Sequence, residues 1–250
     1  MEYARRQTSY APPFTNKLMP RYLLLNKPYR VLPSFTDPDF ERGVIAQRRQ
    51  TLADYVSVSG VYAAGRLDYD SEGLLLLTDD GPLAHRITHP DYHHSKTYWV
   101  QVEGIPDQAA LATLRRGGIP IKKYRTAPAQ VRLFEQEPAL WPRTPPIRYR
   151  ANIPDRWLEL TLTEGKKRQV RRMTAAVGHP TLRLVRVAIG PLKLVDLQPG
   201  EWRQARPQEV AALRAMLREK PPKKRGARGM QGQKGRKRNF KSLQWRKTRR

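Results

Sequence analysis

The basic residues of this 250-residue chain are unevenly spread, and their distribution limits how much of it can fold. From Arg218 to Arg250 there are 15 Lys and Arg against one acidic residue, Glu219. The same stretch holds Pro221, Pro222 and four glycines, with few apolar side chains. Burial there cannot offset the entropy lost on ordering, so residues 218–250 are expected to form a disordered basic tail. Residues 1–20 are polar, contain Pro12, Pro13 and Pro20, and read as a disordered N-terminal segment. The folded body is then expected to be residues 21–217, as one domain.

The whole chain carries a formal charge of +26, although its 28% charged residues are an ordinary share. The imbalance of sign predicts a polyanionic partner, nucleic acid first and an acidic membrane surface second. A hydrophobic content of 39% suffices for a core. There is no cysteine, which excludes disulfides, thiolate nucleophiles, Fe–S clusters and Cys-based zinc sites and fits a cytoplasmic protein. Apolar runs such as Leu74–Leu77 are far too short to span a bilayer, and Met1–Pro20 lacks the apolar centre of a secretory signal.

Within the body the hydrophobic periods alternate. Short apolar or alternating runs at Tyr22–Leu25, Val61–Ala64, Leu74–Thr78, Thr97–Val102, Trp157–Thr163, Leu182–Val187 and Leu192–Val195 read as strands. Tyr98, Val100 and Val102 share one face, as do Leu158, Leu160 and Leu162. Helices are expected at Thr51–Val56, Pro82–Thr88, Asp107–Arg116, Lys167–Val177 and Pro207–Leu217, the last with Val210, Leu213 and Leu217 on one stripe. Strands outnumber helices and no regular βαβ repeat is present, which predicts an α+β fold: a mixed, mainly antiparallel central sheet with flanking helices.

Three segments carry the chemistry. Gly65–Gly81 (GRLDYDSEGLLLLTDDG) places an acidic loop between apolar runs, unexpected in so basic a chain if anion binding is its only task. Rigid flanks are where a working carboxylate is usefully placed. By spacing alone, an ordinary turn with Asp68 or Asp70 capping backbone amides fits better. Glu164–Met173 (EGKKRQVRRM) reads as a turn into a cationic helix, whose first amides, with Lys166, Lys167 and Arg168, suit phosphates. Positions 168, 171 and 172 fall within one helical turn, so one arginine can face inward. The plainer reading is a solvated basic face. Lys96–Val100 (KTYWV) sets Tyr98 on a strand, where it suits either the core or stacking on a nucleobase. His85, His89, His93 and His94 imitate metal-ligand spacing, but Pro90 interrupts them and no metal is expected. P-loop, G-x-S-x-G and G-x-G-x-x-G motifs are absent.

Taken in order, these segments resemble the RsuA/RluB/E/F family of pseudouridine synthases. The family blocks G-R-L-D-x-x-S-x-G-L-L-L-L-T-x-D-G, K-x-Y and E-G-x-x-x-Q-V-R-R-M match Gly65–Gly81, Lys96 with Tyr98, and Glu164–Met173, and Leu25–Pro28 also matches. The likeness spans about residues 22 to 205. Val31–Asp37, Gly60–Asp68 and Leu140–Arg148 point to the branch acting on the large ribosomal subunit. Only about 20 residues precede the first strand, so the S4 RNA-binding domain of several relatives is not expected, while the long basic tail departs from the family pattern.

The resemblance implies isomerisation of a uridine in RNA, with 23S rRNA the expected substrate, naked or in a ribosomal precursor particle. No cofactor or metal is implied. It assigns Asp68 to the ribose, as nucleophile or base, Arg171 to keeping Asp68 ionised and aimed, and Tyr98 to stacking on the uracil. Arg66, Ser71, Lys96, Lys166, Lys167, Arg168 and Arg172 are expected to hold RNA. The base must flip out of its stack, at about a few kcal/mol, and the tail would add salt-sensitive affinity. Two alternatives stay open: a non-catalytic rRNA-binding or ribosome-assembly factor on the same fold, and a synthase acting on 16S rRNA. A monomer without membrane association is expected.

Overall fold

The computed structural model describes residues 19–147 and 153–218. Apart from residues 19, 20 and 218, the two expected flanking segments lie outside it.

The main sheet contains β1 (Tyr22–Lys27), β2 (Tyr62–Ala63), β3 (Glu72–Thr78), β4 (Lys96–Glu103), β7 (Gln130–Leu133), β8 (Asp155–Leu162), β9 (Thr181–Ile189), β10 (Leu192–Lys193) and β11 (Trp202–Gln204). β5 (Pro120–Ile121) and β6 (Tyr124–Arg125) form a separate hairpin. The strand order is β11-β1-β3-β9-β4-β8-β7, with β2 beside β3 and β10 beside β9. Among the described residues only the β3–β9 pair is parallel; the others are antiparallel. The helices are α1 (Pro38–Glu41), α2 (Gly81–Thr88), α3 (Gln108–Arg116), α4 (Gln169–Ala176) and α5 (Pro207–Arg218). The α+β expectation, mainly antiparallel, holds.

The leucine run of β3 is buried on both faces. Leu74 and Leu76 join Leu24, Leu83, Ile87, Leu213 and Leu217 beneath α2 and α5. Leu75 and Leu77 join Leu23, Leu25, Val31, Leu52 and Val56 on the opposite face. At about 1.5–3 kcal/mol per buried leucine, this run fixes β3 in the middle of one half of the sheet. The expected faces of β4 and β8 meet in the other half: Tyr98, Val100 and Val102 pack with Leu158, Leu160 and Leu162, covered by Leu111 and Leu114 of α3 and Val170 and Met173 of α4. The line between these halves is the parallel β3–β9 pairing, where Glu72 faces Val185 and Gly73 faces Arg186.

Two expectations are corrected. The Thr51–Val56 helix shrinks to one 3₁₀ turn at Leu52–Asp54, closed by the Asp54 carboxylate on the Thr51 amide at 2.7 Å. The basic helix begins at Gln169, two residues later than the charge pattern suggests. Gln169 folds back, its Oε1 accepting from Lys166 N at 3.0 Å and its Nε2 donating to Glu164 Oε1. Arg168 is left at φ 54°, outside the helical region. Lys166 and Lys167 therefore sit on a bonded loop, not in the helix.

Candidate active site

Asp68 begins the turn that precedes β3, closed by Ser71 N donating to Asp68 O at 3.0 Å. The turn separates its two acids. Asp68 lines a cleft of about 570 Å³, whereas Asp70 points to α4. The cleft lies at the β3–β9–β4 junction and is also lined by Arg66, Ser71, Lys96, Tyr98, Lys166, Lys167 and Arg168. Segments far apart in sequence thus converge, bringing together eight of the ten residues singled out above. Arg171 and Arg172 are not among its walls.

Asp68 is half-buried, and its carboxylate makes no hydrogen bond or ion pair among the described residues. The other cleft acids are Glu164, which is occupied by Ala127 N at 2.9 Å and by Gln169, and Asp91. Tyr98 is 8% exposed, packs against Leu67, Val170 and Leu184, and still reaches the cleft. The core and stacking readings of this residue are thus compatible. Ser71 is buried with an unpartnered Oγ. Lys96 donates to His94 O at 3.0 Å, and burial, with the neighbouring Arg186 charge, lowers its pKa to about 8.

The inward arginine of α4 is Arg171. Its Nη2 donates to Asp70 O at 2.6 Å and its Nε stands 3.4 Å from Asp70 Oδ2. Arg168 Nη1 pairs with Asp70 Oδ1 at 2.7 Å. Burial pushes the Asp70 carboxyl up, but the Arg168 hydrogen bond and the charges of Arg171 and Arg168 outweigh it and hold the group below the usual range. Arg171 therefore grips the turn through Asp70, while the Asp68 charge acts on it without contact.

Sequence reasoning missed Arg186. It is 3% exposed, lines the cleft, and donates to Leu74 O at 2.8 Å and Arg66 O at 3.2 Å, which clasps both ends of the segment carrying Asp68. Read in sequence, it is one polar position of the β9 strand pattern. It also missed Lys27, fully buried at the end of β1, which donates to Pro28 O at 2.7 Å and Val31 O at 2.8 Å. Burial lowers its pKa to about 7 against the opposing charges of Glu72, Asp70 and Asp68. His89, His93 and His94 join the cleft wall, with His94 stacked on Tyr92. Among the described residues no group of three or more His, Asp or Glu is placed to hold a metal ion, and no helix is long and apolar enough to cross a membrane.

The sheet is split at the parallel β3–β9 pairing, and a carboxylate, a tyrosine and a cationic rim meet there. The chain as a whole is similar to known proteins. Residues 21–176 match the RNA pseudouridylate synthase family, and the chain belongs to that family, whose members are isomerases acting on RNA. Among its relatives is ribosomal large subunit pseudouridine synthase E of Xanthomonas campestris pv. campestris, 58% identical over 181 residues, covering 72% of this chain and 93% of that protein. The protein of the same name from Vibrio vulnificus is 53% identical over 184 residues, 74% of either chain. A crystal structure of a pseudouridylate synthase superposes with a TM-score of 0.63 at 30% identity, over 78% of this chain and 74% of that one.

Proposed function

We propose that this protein converts a specific uridine of 23S rRNA to pseudouridine, with Asp68 acting at the ribose. The observation that carries this reading is Asp68 itself, a carboxylate without a bonded partner among the described residues, in a cleft rimmed by Lys96, Lys166, Lys167 and Arg168. A site built only to bind phosphate gains nothing from such a group. Relatives named for the large ribosomal subunit support the choice of rRNA.

In the reaction the N1–C1′ bond breaks, the uracil turns, C5 bonds to C1′, the C5 proton leaves and N1 gains a proton. Asp68 either attacks C1′ or takes the C2′ proton, and both roles need it close to a flipped nucleotide. Tyr98 offers a ring face to the uracil from the floor of the cleft. Arg171 acts as a positioning residue through Asp70, and Arg66, Ser71, Lys96, Lys166, Lys167, Arg168 and Arg172 supply contacts to the RNA. The basic residues beyond Leu217 add sequence-independent affinity.

The test is pseudouridine mapping of 16S and 23S rRNA by carbodiimide modification and primer extension, in cells with and without the gene. One 23S site should vanish, returning with the wild-type gene and not with Asp68→Ala. A site lost from 16S instead would move the substrate to the small subunit. Unchanged maps would leave a binding or assembly factor.

A further inference from the structure

Beside the Asp68 turn, among residues that do not line the cleft, lies a second cationic and aromatic surface. Arg30 and Arg143 both approach the Tyr29 ring, their guanidinium carbons 5.5 and 4.3 Å from its centroid. Neither has an acidic partner among the described residues, unlike Arg42, Arg48 and Arg49 nearby, which pair with Asp39, Asp54, and Asp37 with Asp39. The surface is tied to the turn. Arg30 N donates to Tyr69 O at 2.9 Å, one residue from Asp68, and this bond holds Arg30 at φ 59°. Arg143 is held from below by its own segment. Trp141 Nε1 donates to the buried Glu72 carboxylate at 2.9 Å, and Trp141 O accepts from Arg183 at 2.9 Å. Arg143 Nε and Nη2 donate to Pro145 O and Pro146 O, while its Nη1 has no acceptor among the described residues. The Arg143 guanidinium is thus held in place by its own segment, which is anchored through the residue that begins β3, while Arg30 is fixed at its backbone and its exposed guanidinium lies near the same ring.

We propose that Arg30 and Arg143, gathered on Tyr29, are a second RNA-contacting surface that holds the sugar–phosphate backbone of the substrate strand as it leaves the cleft over the Asp68 turn. The inference rests on the RNA-modifying reading above. An unpaired, stacked guanidinium with a free edge suits a phosphate oxygen. Two cationic contacts outside the cleft, that of Arg143 already held in position, would help to offset the cost of flipping the base.

The experiment uses the full chain, a 23S rRNA transcript labelled with [5-³H]uridine, and a salt series of filter-binding measurements. In the double variant Arg30→Gln/Arg143→Gln, Kd at 0.15 M salt should rise about tenfold. The plot of log Kd against log salt should flatten by about 1.4, from roughly 0.7 per single-strand phosphate contact. In tritium release, the loss should appear in the half-saturating RNA concentration more than in the saturating rate. Arg30→Lys/Arg143→Lys should restore most of the salt slope. If the wild type releases tritium while the glutamine variant keeps both its Kd and its slope, the surface does not touch RNA. Should the wild type release none from 23S or 16S transcripts, the synthase reading falls instead, and the salt slopes still decide whether this surface binds RNA.

Discussion

Arg171 reaches the turn that carries Asp68 at Asp70, not at Asp68: Nη2 bonds the Asp70 carbonyl at 2.6 Å and Nε faces its carboxylate at 3.4 Å. The arginine is only 11% exposed in its side chain, and Asp70 supplies its counter-charge. Asp70 is thus the link between α4 and the position of Asp68. Asp70→Asn keeps the backbone bond but leaves Arg168 and Arg171 without a contacting anion. Turnover should fall roughly tenfold, towards the about 10²-fold that a misplacement near 1 Å costs, while RNA binding is held or tightened. Single-turnover tritium release alongside filter binding would check it. Normal turnover in Asp70→Asn with loss in Arg171→Ala would mean that Arg171 acts on Asp68 directly.

Glu72 and Arg183 form a bidentate pair at 2.8 and 2.9 Å, with side chains 2% and 8% exposed. Removing one partner strands the other charge in the core, at about 3–5 kcal/mol. Glu72→Gln should lose that much in urea unfolding and loosen the Trp141 segment. Glu72→Met/Arg183→Met removes both charges and should recover a large part of the loss. If the double variant is no better than the single, the pair contributes through its geometry and not through charge balance.

The Asp68 turn was legible in sequence because its signals are local: glycines bracket it and a run of leucines follows. The strand faces of β4 and β8 were legible for the same reason, since a period of two needs no partner to be seen. Arg183 and Arg186 were not: three positions apart, they fall on opposite faces of β9, and nothing local tells either from an ordinary solvent-facing polar residue. What makes them matter, Glu72 and the carbonyls of Arg66 and Leu74, lies over a hundred residues away in the chain. β7 and β11 escaped because each is short and sits at an edge of the sheet. The late start of α4 depends on a side chain, Gln169, folding back on its own loop, which no helical pattern announces.

Gly73 sits at the parallel β3–β9 junction with φ 103°, and a Cβ there would lie 2.3 Å from Arg186 O and 2.8 Å from Arg186 N. The conformation alone costs a non-glycine residue about 1–3 kcal/mol. The clash is with backbone, so relief means parting the two strands that position Arg186. Gly73→Ala should therefore melt well below wild type and lose activity even where it folds. Gly81→Ala is the control, since a Cβ there meets nothing within 4 Å, and its stability should change by less than about 1 kcal/mol. Equal melting temperatures for the two variants would refute the close approach at Gly73.

Lys96 gives RNA binding and stability opposite dependences on pH. Burial and the Arg186 charge bring its pKa down to about 8, below the 10.5 of an unfolded lysine. Above pH 8 the folded protein binds fewer protons here than the unfolded chain, so this group's contribution to stability rises with pH between 8 and 10.5. Phosphate binding needs the protonated amine, so affinity for RNA should weaken over the same rise, by up to about tenfold per unit. Measured from pH 7 to 8.5, where the RNA bases stay largely neutral, wild-type Kd should climb while thermal stability does not fall. Lys96→Arg should hold its affinity flat across that range, because a guanidinium stays charged throughout. Lys96→Met should bind weakly at every pH with the same flat profile. A wild-type Kd unchanged between pH 7 and 8.5 would place Lys96 outside the RNA contact, and its burial would then serve only to shape the cleft wall.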